Sequence, residues 1–532
     1  MSDAAAAGSG ENAAKPEEWK PKNNPWLIAL VVTLAAFMEI LDTTIVNVSL
    51  PHIAGSLSST YDDATWTLTS YLVANGIVLT ISGWLGKLFG RKVYFMGCIA
   101  MFTVTSFLCG VSTSLGELII FRLLQGFFGG GLQPNQQSII LDTFPPEKRA
   151  AAFGLTAIAT VVGPVLGPTL GGWITDNYSW RWIFFINIPV GIFATIAVGM
   201  LVEDPPWAKK RRERIDAIGI SLITLGFGCL EVMVDRGEDD DWFGSRFICI
   251  MGVLAAIGII GAVIWLLKAK YPAVDLRVFK DRNFAVGTLL MGMMGALLYS
   301  SAIIVPQFAQ QVIGYTATLS GLVLSPGGIA VIFLIPIVGK LMGMFQVRFI
   351  IAFGFASMAV ALFWSGHLVP YLDFKHLVFF RMSQTACLAF LFVPLSTVAY
   401  STLPKEMNAD ASALFSMARN FLGSLSISGA TALITELRQK HQANMVHLMT
   451  PFHQPYNEYL ARGRQFALDH NRAPSTYDVI AQHSLFQNFT TQIAMLAYNE
   501  AFMIFGLAAL AVVPFCFLLS PIKGGGPARG AH

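Results

Sequence analysis

Fourteen apolar runs, each long enough to cross a bilayer as a helix, constrain this chain more than any other feature. They lie at roughly 26–50, 65–86, 93–113, 117–140, 151–174, 182–202, 217–235, 246–267, 284–305, 317–342, 348–367, 376–400, 409–435 and 494–520. About 20 residues at about 1.5 Å each cover the hydrocarbon thickness. No water is available there, so backbone N–H and C=O groups must pair within each segment, which makes each crossing a helix. Charged residues are 13% of the 532, about half the ~25% of soluble domains. The expected fold class is therefore an all-α polytopic membrane protein.

Lys and Arg assign the two faces. Connections from odd to even segments are nearly bare of them. Even-to-odd connections carry Lys87, Arg91 and Lys92, the cluster from Lys209 to Arg214, the stretch from Lys268 to Arg282, and then Lys340, Arg348 and Lys405. About 23 of the 35 basic residues fall on this one face, which the positive-inside rule makes cytoplasmic, with both termini. The net charge of +3 is too small to indicate nucleic acid. All six cysteines lie in apolar runs with no CxxC spacing, so neither a disulfide framework nor a zinc site is expected. The tail 1–25 reads as disordered and lacks the apolar core and cleavage site of a signal peptide.

The chain repeats. Phe121-Arg122 with Gln125 returns as Phe380-Arg381 with Gln384, and the same offset aligns Thr143, Pro145 and Glu147 with Thr402, Pro404 and Glu406. The fourth and twelfth segments have the same orientation, so the halves are parallel repeats, an arrangement that places substrate sites at the midplane between them. The expected organisation is a first six-helix bundle at 26–203, an insert with two extra helices at 204–282, and a second bundle at 283–435 and 494–520. A cytoplasmic tail follows at 521–532. Segment 436–493 is expected to be a long, solvated, partly helical loop on the outer face, carrying five of the nine histidines. His441, His447 and His453 recur every six residues, which spreads them around a helix, so no metal site is expected.

Within the first apolar run, Glu39 and Asp42 are three residues apart and share one helix face. An ionisable side chain at mid-membrane costs roughly 2.5–3.5 kcal/mol on insertion scales, so it faces a partner or a water-filled cavity. By helix rise, Asp42 is about 12 Å from the outer end of its segment, Glu39 about 16 Å, and Arg122 of the fourth segment about 9 Å. An arginine spans such differences if the helices are neighbours. A carboxylate beside a guanidinium favours its charged form and burial disfavours it, so separating the two would load or release a proton. Asp42 is the expected main proton carrier, with Glu39 assisting and Arg122 setting its affinity. Polar cavity candidates are Asn47, Gln125, Gln133, Gln137, Arg381, Gln384, Arg419, Asn499 and Glu500. Glu231, in an extra helix, is expected to pair locally near the outer face.

Two glycine-rich stretches are conformational. Gly83 to Lys92, with Gly86, Lys87, Gly90 and Arg91, makes a tight basic turn between segments two and three. Gly163, Pro164, Gly167, Pro168 and Gly171 give segment five kinks and a smooth face that another helix approaches closely.

These residues resemble the major facilitator superfamily, and specifically its fourteen-helix drug/proton antiporters of the EmrB type. Leu41-Asp42-Thr43-Thr44 through Pro51 looks like that family's first-helix signature. Gly83 to Lys92 looks like the superfamily's loop motif, Arg122 with Gln125-Gly126 like its fourth-helix motif, and Gly163 to Gly172 like the antiporter motif. One departure stands out: the loop motif usually has Asp where this chain has Lys87, so the relay assigned to that Asp is not carried over. The resemblance implies two pseudo-symmetric six-helix bundles plus two extra helices. It also implies proton-driven export of small hydrophobic compounds across a bacterial inner membrane, with lipids around it. The family works with a periplasmic adaptor (EmrA-like) and an outer-membrane channel (TolC-like), and needs no cofactor. Export of an endogenous siderophore or fatty acid by the same mechanism stays open. A membrane enzyme is disfavoured, since no His-Glu-x-x-His, Gly-x-Ser-x-Gly or Walker A sequence occurs.

Overall fold

The computed structural model describes residues 19 and 21–521, apart from 209–214, 239, 368, 370–371 and 471–473. Most of the tail 1–25, the basic cluster Lys209 to Arg214 and nearly all of 521–532 lie outside the described residues. Helices α1 (Pro25–Ser56), α2 (Tyr61–Phe89), α3 (Arg91–Val111), α4 (Leu115–Gly129), α5 (Leu132–Thr143), α6 (Pro146–Asn177), α7 (Trp182–Phe185) and α8 (Asn187–Leu201) build the first half. The fourth crossing is α4 continued by α5 and the sixth is α7 continued by α8, so eight helices make six crossings. Two inserted helices follow, α9 (Ala217–Arg236) and α10 (Arg246–Lys268). The second half comprises α11 (Arg282–Gln311), α12 (Ala317–Met344), α13 (Val347–Ser365), α14 (Phe374–Ala399), α15 (Asn408–Met445) and α17 (Tyr477–Val512), with α16 (Gln454–Asp469) outside the bundle.

Among the described residues, thirteen helices are long and apolar enough to cross a membrane. The fourteenth expected crossing, α15, falls short on composition because its polar side chains turn inward: Asp410, Ser412, Ser416 and Arg419 are all buried. The segment 436–493, expected as a solvated, partly helical loop, is largely helical among its described residues. Helix α15 runs on for 38 residues and α17 for 36, about 57 and 54 Å at helical rise, well past the hydrocarbon. Helix α16 packs on the start of α17 where Gly463 meets Ala481, and Arg464 Nε is 2.6 Å from Asp478.

Two seams join the halves. One runs along α6 and α12, from Gly172 beside Thr318 to Gly154 beside Ile335. The other brings α2 and α15 together only at the basic end, where a Cβ on Gly83 would meet the Ala409 carbonyl at 2.9 Å. Further along, α9 lies between α2 and α15, and α10 packs chiefly on α9.

The glycine face of α6 seats on α1. A Cβ on Gly163 would overlap Ile40, one on Gly167 the Thr44 side chain, and one on Gly171 would come within 2.8 Å of the Ile45 carbonyl. Gly90 is the φ 87° stop of α2 that starts α3, a conformation that glycine adopts without strain. Replacing Gly167 with Ala is expected to lower the melting midpoint of the purified protein by several degrees, through overpacking of about 1–3 kcal/mol. Adding Thr44→Ala should recover only part of that loss, because it removes the hydroxyl contact but leaves the residue-44 Cβ 2.7 Å from the new one; thermal unfolding of the two single variants and the double variant checks this.

Candidate functional site

Asp42 and Arg122 form a fully buried ion pair, 1% and 0% exposed, with Arg122 Nη1 2.6 Å from Asp42 Oδ2. Gln125 Nε2 and Asn187 Nδ2 donate to the other carboxylate oxygen at 3.0 and 2.7 Å. The guanidinium also donates to the Thr67 carbonyl and to Gln125, and it stacks 4.1 Å over the Tyr71 ring. Charge-assisted bonds of this kind are the strong ones in a low-dielectric site, so α1, α2, α4 and α8 are tied at one point.

One turn away, no cation among the described residues contacts Glu39. Tyr71 Oη and Asn75 Nδ2 donate to Oε1 at 3.3 and 3.1 Å, and Gln133 Nε2 donates to Oε2. The carbonyl of the same Gln133 accepts from Arg419 Nη2 of α15. One neutral amide thus links an acid of the first half to an arginine of the second.

Glu39 and Gln133 lie at the floor of a cavity of about 720 Å³ between the halves. It extends past Asn47 to Pro51 and His52 at the far end of α1, and to Gln311 at the far end of α11. Asp42 is behind the wall, whereas Arg122 reaches it. Pro164 and Pro168, inside α6, line the same space. Helix α9 forms one side: Ser424 of α15 donates to Glu231 (2.7 Å), Thr69 of α2 donates to Asp235, and Arg236 donates to Thr65 (2.6 Å).

The basic end is shut. Lys87 Nζ is 2.5 Å from Asp410 in the first turn of α15, so the cation replacing the usual Asp reaches an acid in the opposite half. Arg91 pairs with Asp142, which also accepts from Asn408 at 2.9 Å, and Tyr400 Oη donates to Gln137 at 3.1 Å. The molecule is closed at its basic end and open at the other.

The second half holds a copy of the buried arginine centre. Arg381, 0% exposed, donates from Nη1 to Ser301 (2.7 Å) and Gln384 (3.3 Å), and Gln384 donates to Ser365 (2.8 Å).

Residues 32–427 match the Major Facilitator Superfamily. The chain belongs to the major facilitator superfamily. Multidrug export protein EmrB of Escherichia coli (strain K12) is 35% identical over 97% of this chain and 100% of its own length. The EmrB of Haemophilus influenzae is 35% identical over 94% and 96%, and fatty acid resistance protein FarB of Neisseria gonorrhoeae 34% over 94% and 97%. The fold is shared with the proton:xylose symporter XylE, at TM-score 0.54, 12% identity, and 87% and 94% coverage. It is also shared with a bacterial homologue of the lysosomal transporter Spinster, at TM-score 0.51, 17% identity, and 94% and 98% coverage. This major facilitator superfamily transporter is thus a multi-pass membrane protein of the EmrB type.

Against that family's layout, the sequence candidates divide. Asn47 and Gln133 are on the cavity wall. Gln125 belongs instead to the Asp42 ion pair, Gln137 to the closed basic end, and Arg381 and Gln384 to the separate centre in the second half. Arg419 is below the floor, bonded to Gln133 and Asn420. Glu500 is not in the cavity: it pairs with Lys440 (3.1 Å) and His441 (2.9 Å) where α15 and α17 leave the bundle, and Asn499 accompanies it outside the cavity lining. Glu231 does not pair within its own helix but across to α15. Sequence reasoning missed Asn187 and Asn75; each is the one amide side chain in its apolar run, which was the available signal. Swapping the Lys87–Asp410 charges one at a time (Lys87→Asp, Asp410→Lys) should open the basic end, and the double swap should reclose it. Labelling of a Gln137→Cys reporter by a membrane-impermeant maleimide in inside-out vesicles reads this: fast in the single swaps, slow in the double.

Proposed function

We propose that this transporter exports hydrophobic drugs from the cytoplasm in exchange for protons, and that it is captured here open to the periplasm. The observation that carries the reading is the cavity floor, where Glu39 faces the open space and joins through Gln133 to Arg419 of the other half. A carboxylate reached from the proton-rich side and wired to the opposite half is the part that alternating access needs. Asp42, already saturated by three donors of two helices, is sealed from the cavity. In this state Glu39 rather than Asp42 takes the proton. Protonation removes the charge that Gln133 and Arg419 hold, loosening the link across the floor. Rearrangement then exposes Asp42 and Arg122, whose separation or rejoining completes the exchange.

The basic end is cytoplasmic under the positive-inside rule, in the inner membrane of a bacterium, with both termini inside. The protein acts as a transporter rather than an enzyme and needs no cofactor beyond the proton gradient. Its substrates are lipophilic cations and neutral compounds. Glu39, Glu231 and Asp235 line the space with the aromatic rings of Tyr71, Tyr299 and Phe227, a lining that repels carboxylates and so weighs against a fatty-acid or siderophore anion. An EmrA-like adaptor docks on the projecting α15–α16–α17 unit, where Phe452 is 97% exposed and Tyr459, Phe466 and Phe486 are also exposed; a TolC-like channel completes the assembly.

Two experiments test the reading. Glu39→Gln should abolish proton release on drug binding while leaving the drug bound, and Asp42→Asn should bind drug and release protons yet fail to transport. Unchanged proton release in Glu39→Gln would return the coupling role to Asp42. Replacing the α16 hairpin with a short Gly/Ser linker should eliminate adaptor pull-down and cellular resistance but leave transport in proteoliposomes intact. Adaptor capture at wild-type strength would reject that docking surface.

A further inference from the structure

The internal repeat aligns one buried arginine centre with another in which a serine stands at the carboxylate's position. In the first half, Arg122 of α4 meets Asp42 of α1 and Gln125. In the second, Arg381 of α14 meets Ser301 of α11 and Gln384. Ser301 follows Asp42 at the same offset that carries Arg122 to Arg381 and Gln125 to Gln384. Ser365, which accepts from Gln384, likewise follows Ser106, which accepts from Asn187 beside Asp42. The framework is duplicated, and a carboxylate has become a hydroxyl.

The charge balance does not survive that change. Arg381 is 0% exposed, Ser301 4%, Gln384 0% and Ser365 1%. The partners of Arg381 are one hydroxyl and one amide carbonyl, both neutral, and its Nε and Nη2 find no acceptor among the described residues. No carboxylate is paired with it among the described residues. Guanidinium cannot shed its proton in a protein. An isolated buried cation is strongly unfavourable, and removing one partner of a buried pair leaves just such a charge. The centre is also separate from the transport cavity: Tyr299, Ala302 and Ile303 of α11 line that space, whereas Ser301 and Arg381 do not.

We propose that Arg381, Ser301 and Gln384 form a binding site for one small monovalent anion, chloride in the cell, held where the first half places the Asp42 carboxylate. The anion accepts from the Arg381 guanidinium and from the Ser301 hydroxyl, which turns its proton to it from the Leu298 carbonyl at 3.1 Å. The Gln384 amide nitrogen stays on Ser365. Separation from the cavity and full burial favour a bare inorganic ion over a substrate carboxylate or a lipid phosphate. The anion makes the second half a fixed, neutral counterpart to the titrating first half.

The test uses the purified full-length protein in nanodiscs, melted in chloride, bromide or gluconate at matched ionic strength. Wild type should gain about 2–4 °C in either halide, rising with the logarithm of its concentration, and should bind radioactive chloride at one per chain. Ser301→Asp supplies the missing carboxylate, so it should melt higher in gluconate, lose the halide response and bind no chloride. Arg381→Gln should also lose chloride binding. If that variant fails to fold, Ser301→Asp decides alone. A wild type indifferent to halide would overturn the proposal in favour of a buried water, and a halide response that persists in Ser301→Asp would overturn it in favour of weak surface binding. Proton release on drug binding is read separately, so the site can fail while the exporter reading stands, or the reverse.

Discussion

Hydrocarbon offers no partner to a charge, and that constraint decides which helices of this protein meet. Arg122 is the clearest case. Its guanidinium can be buried only because Asp42 comes from α1, Thr67 offers a carbonyl from α2 and Tyr71 a ring face, all at one depth. Pairing that single group fixes the register of two helices against α4, and Asn187 adds α8 through the second carboxylate oxygen. Apolar packing alone would leave these helices free to slide by a turn, since a lipid tail is as apolar as a leucine. The close α1–α6 contact then sets the fifth crossing against the same hub. Most of the first half is therefore specified by one buried pair and one smooth helix face.

The seam between the halves obeys the opposite rule. Its polar contacts gather at the basic end, with Lys87 to Asp410, Asn408 to Asp142 and Tyr400 to Gln137, and continue more sparsely through Gln133 to Arg419 at the cavity floor and Asp176 to Thr318 beyond it. Beyond them the halves diverge around the cavity, and only α6 against α12 stays in touch along its length. A seam held by one ion pair and a few exchangeable hydrogen bonds has two accessible arrangements, whereas a welded apolar core has one. Helix α9 bridges the open side through contacts to both α2 and α15, so the inserted pair forms part of the wall rather than a peripheral addition.

Much of this was legible from residue order. Run lengths, basic-loop alternation and the Arg122/Arg381 repeat gave the topology, because membrane thickness and charge asymmetry act on each segment separately. The depths of Asp42 and Arg122 allowed them to meet, and the family resemblance implied that their helices are neighbours. What stayed hidden depends on rotation about helix axes. Glu231 was expected to pair locally and instead faces α15, and Glu500 was expected in the cavity and instead sits at its outer rim with Lys440 and His441. A helix that is apolar nearly all round has no stripe to show which way a lone acid points. The extent of α15 and α17 was hidden for another reason: beyond the bilayer these helices are polar, and hydropathy marks where lipid ends, not where the helix ends.

The two arginine centres explain how a duplicated architecture can run an asymmetric cycle. If both halves kept a carboxylate at the Asp42 position, protonation could occur on either side of the pseudo-symmetry axis, and the two half-sites would compete for one coupling step. With Ser301 in the second half, a proton alters charge only in the first, where Glu39 reports it through Gln133 to Arg419. The second half then contributes only the fixed charge of Arg419, and at the floor of the cavity a charge that changes meets a charge that does not. On the proton-coupled reading, that boundary is where the free energy of the proton gradient becomes motion of one half against the other.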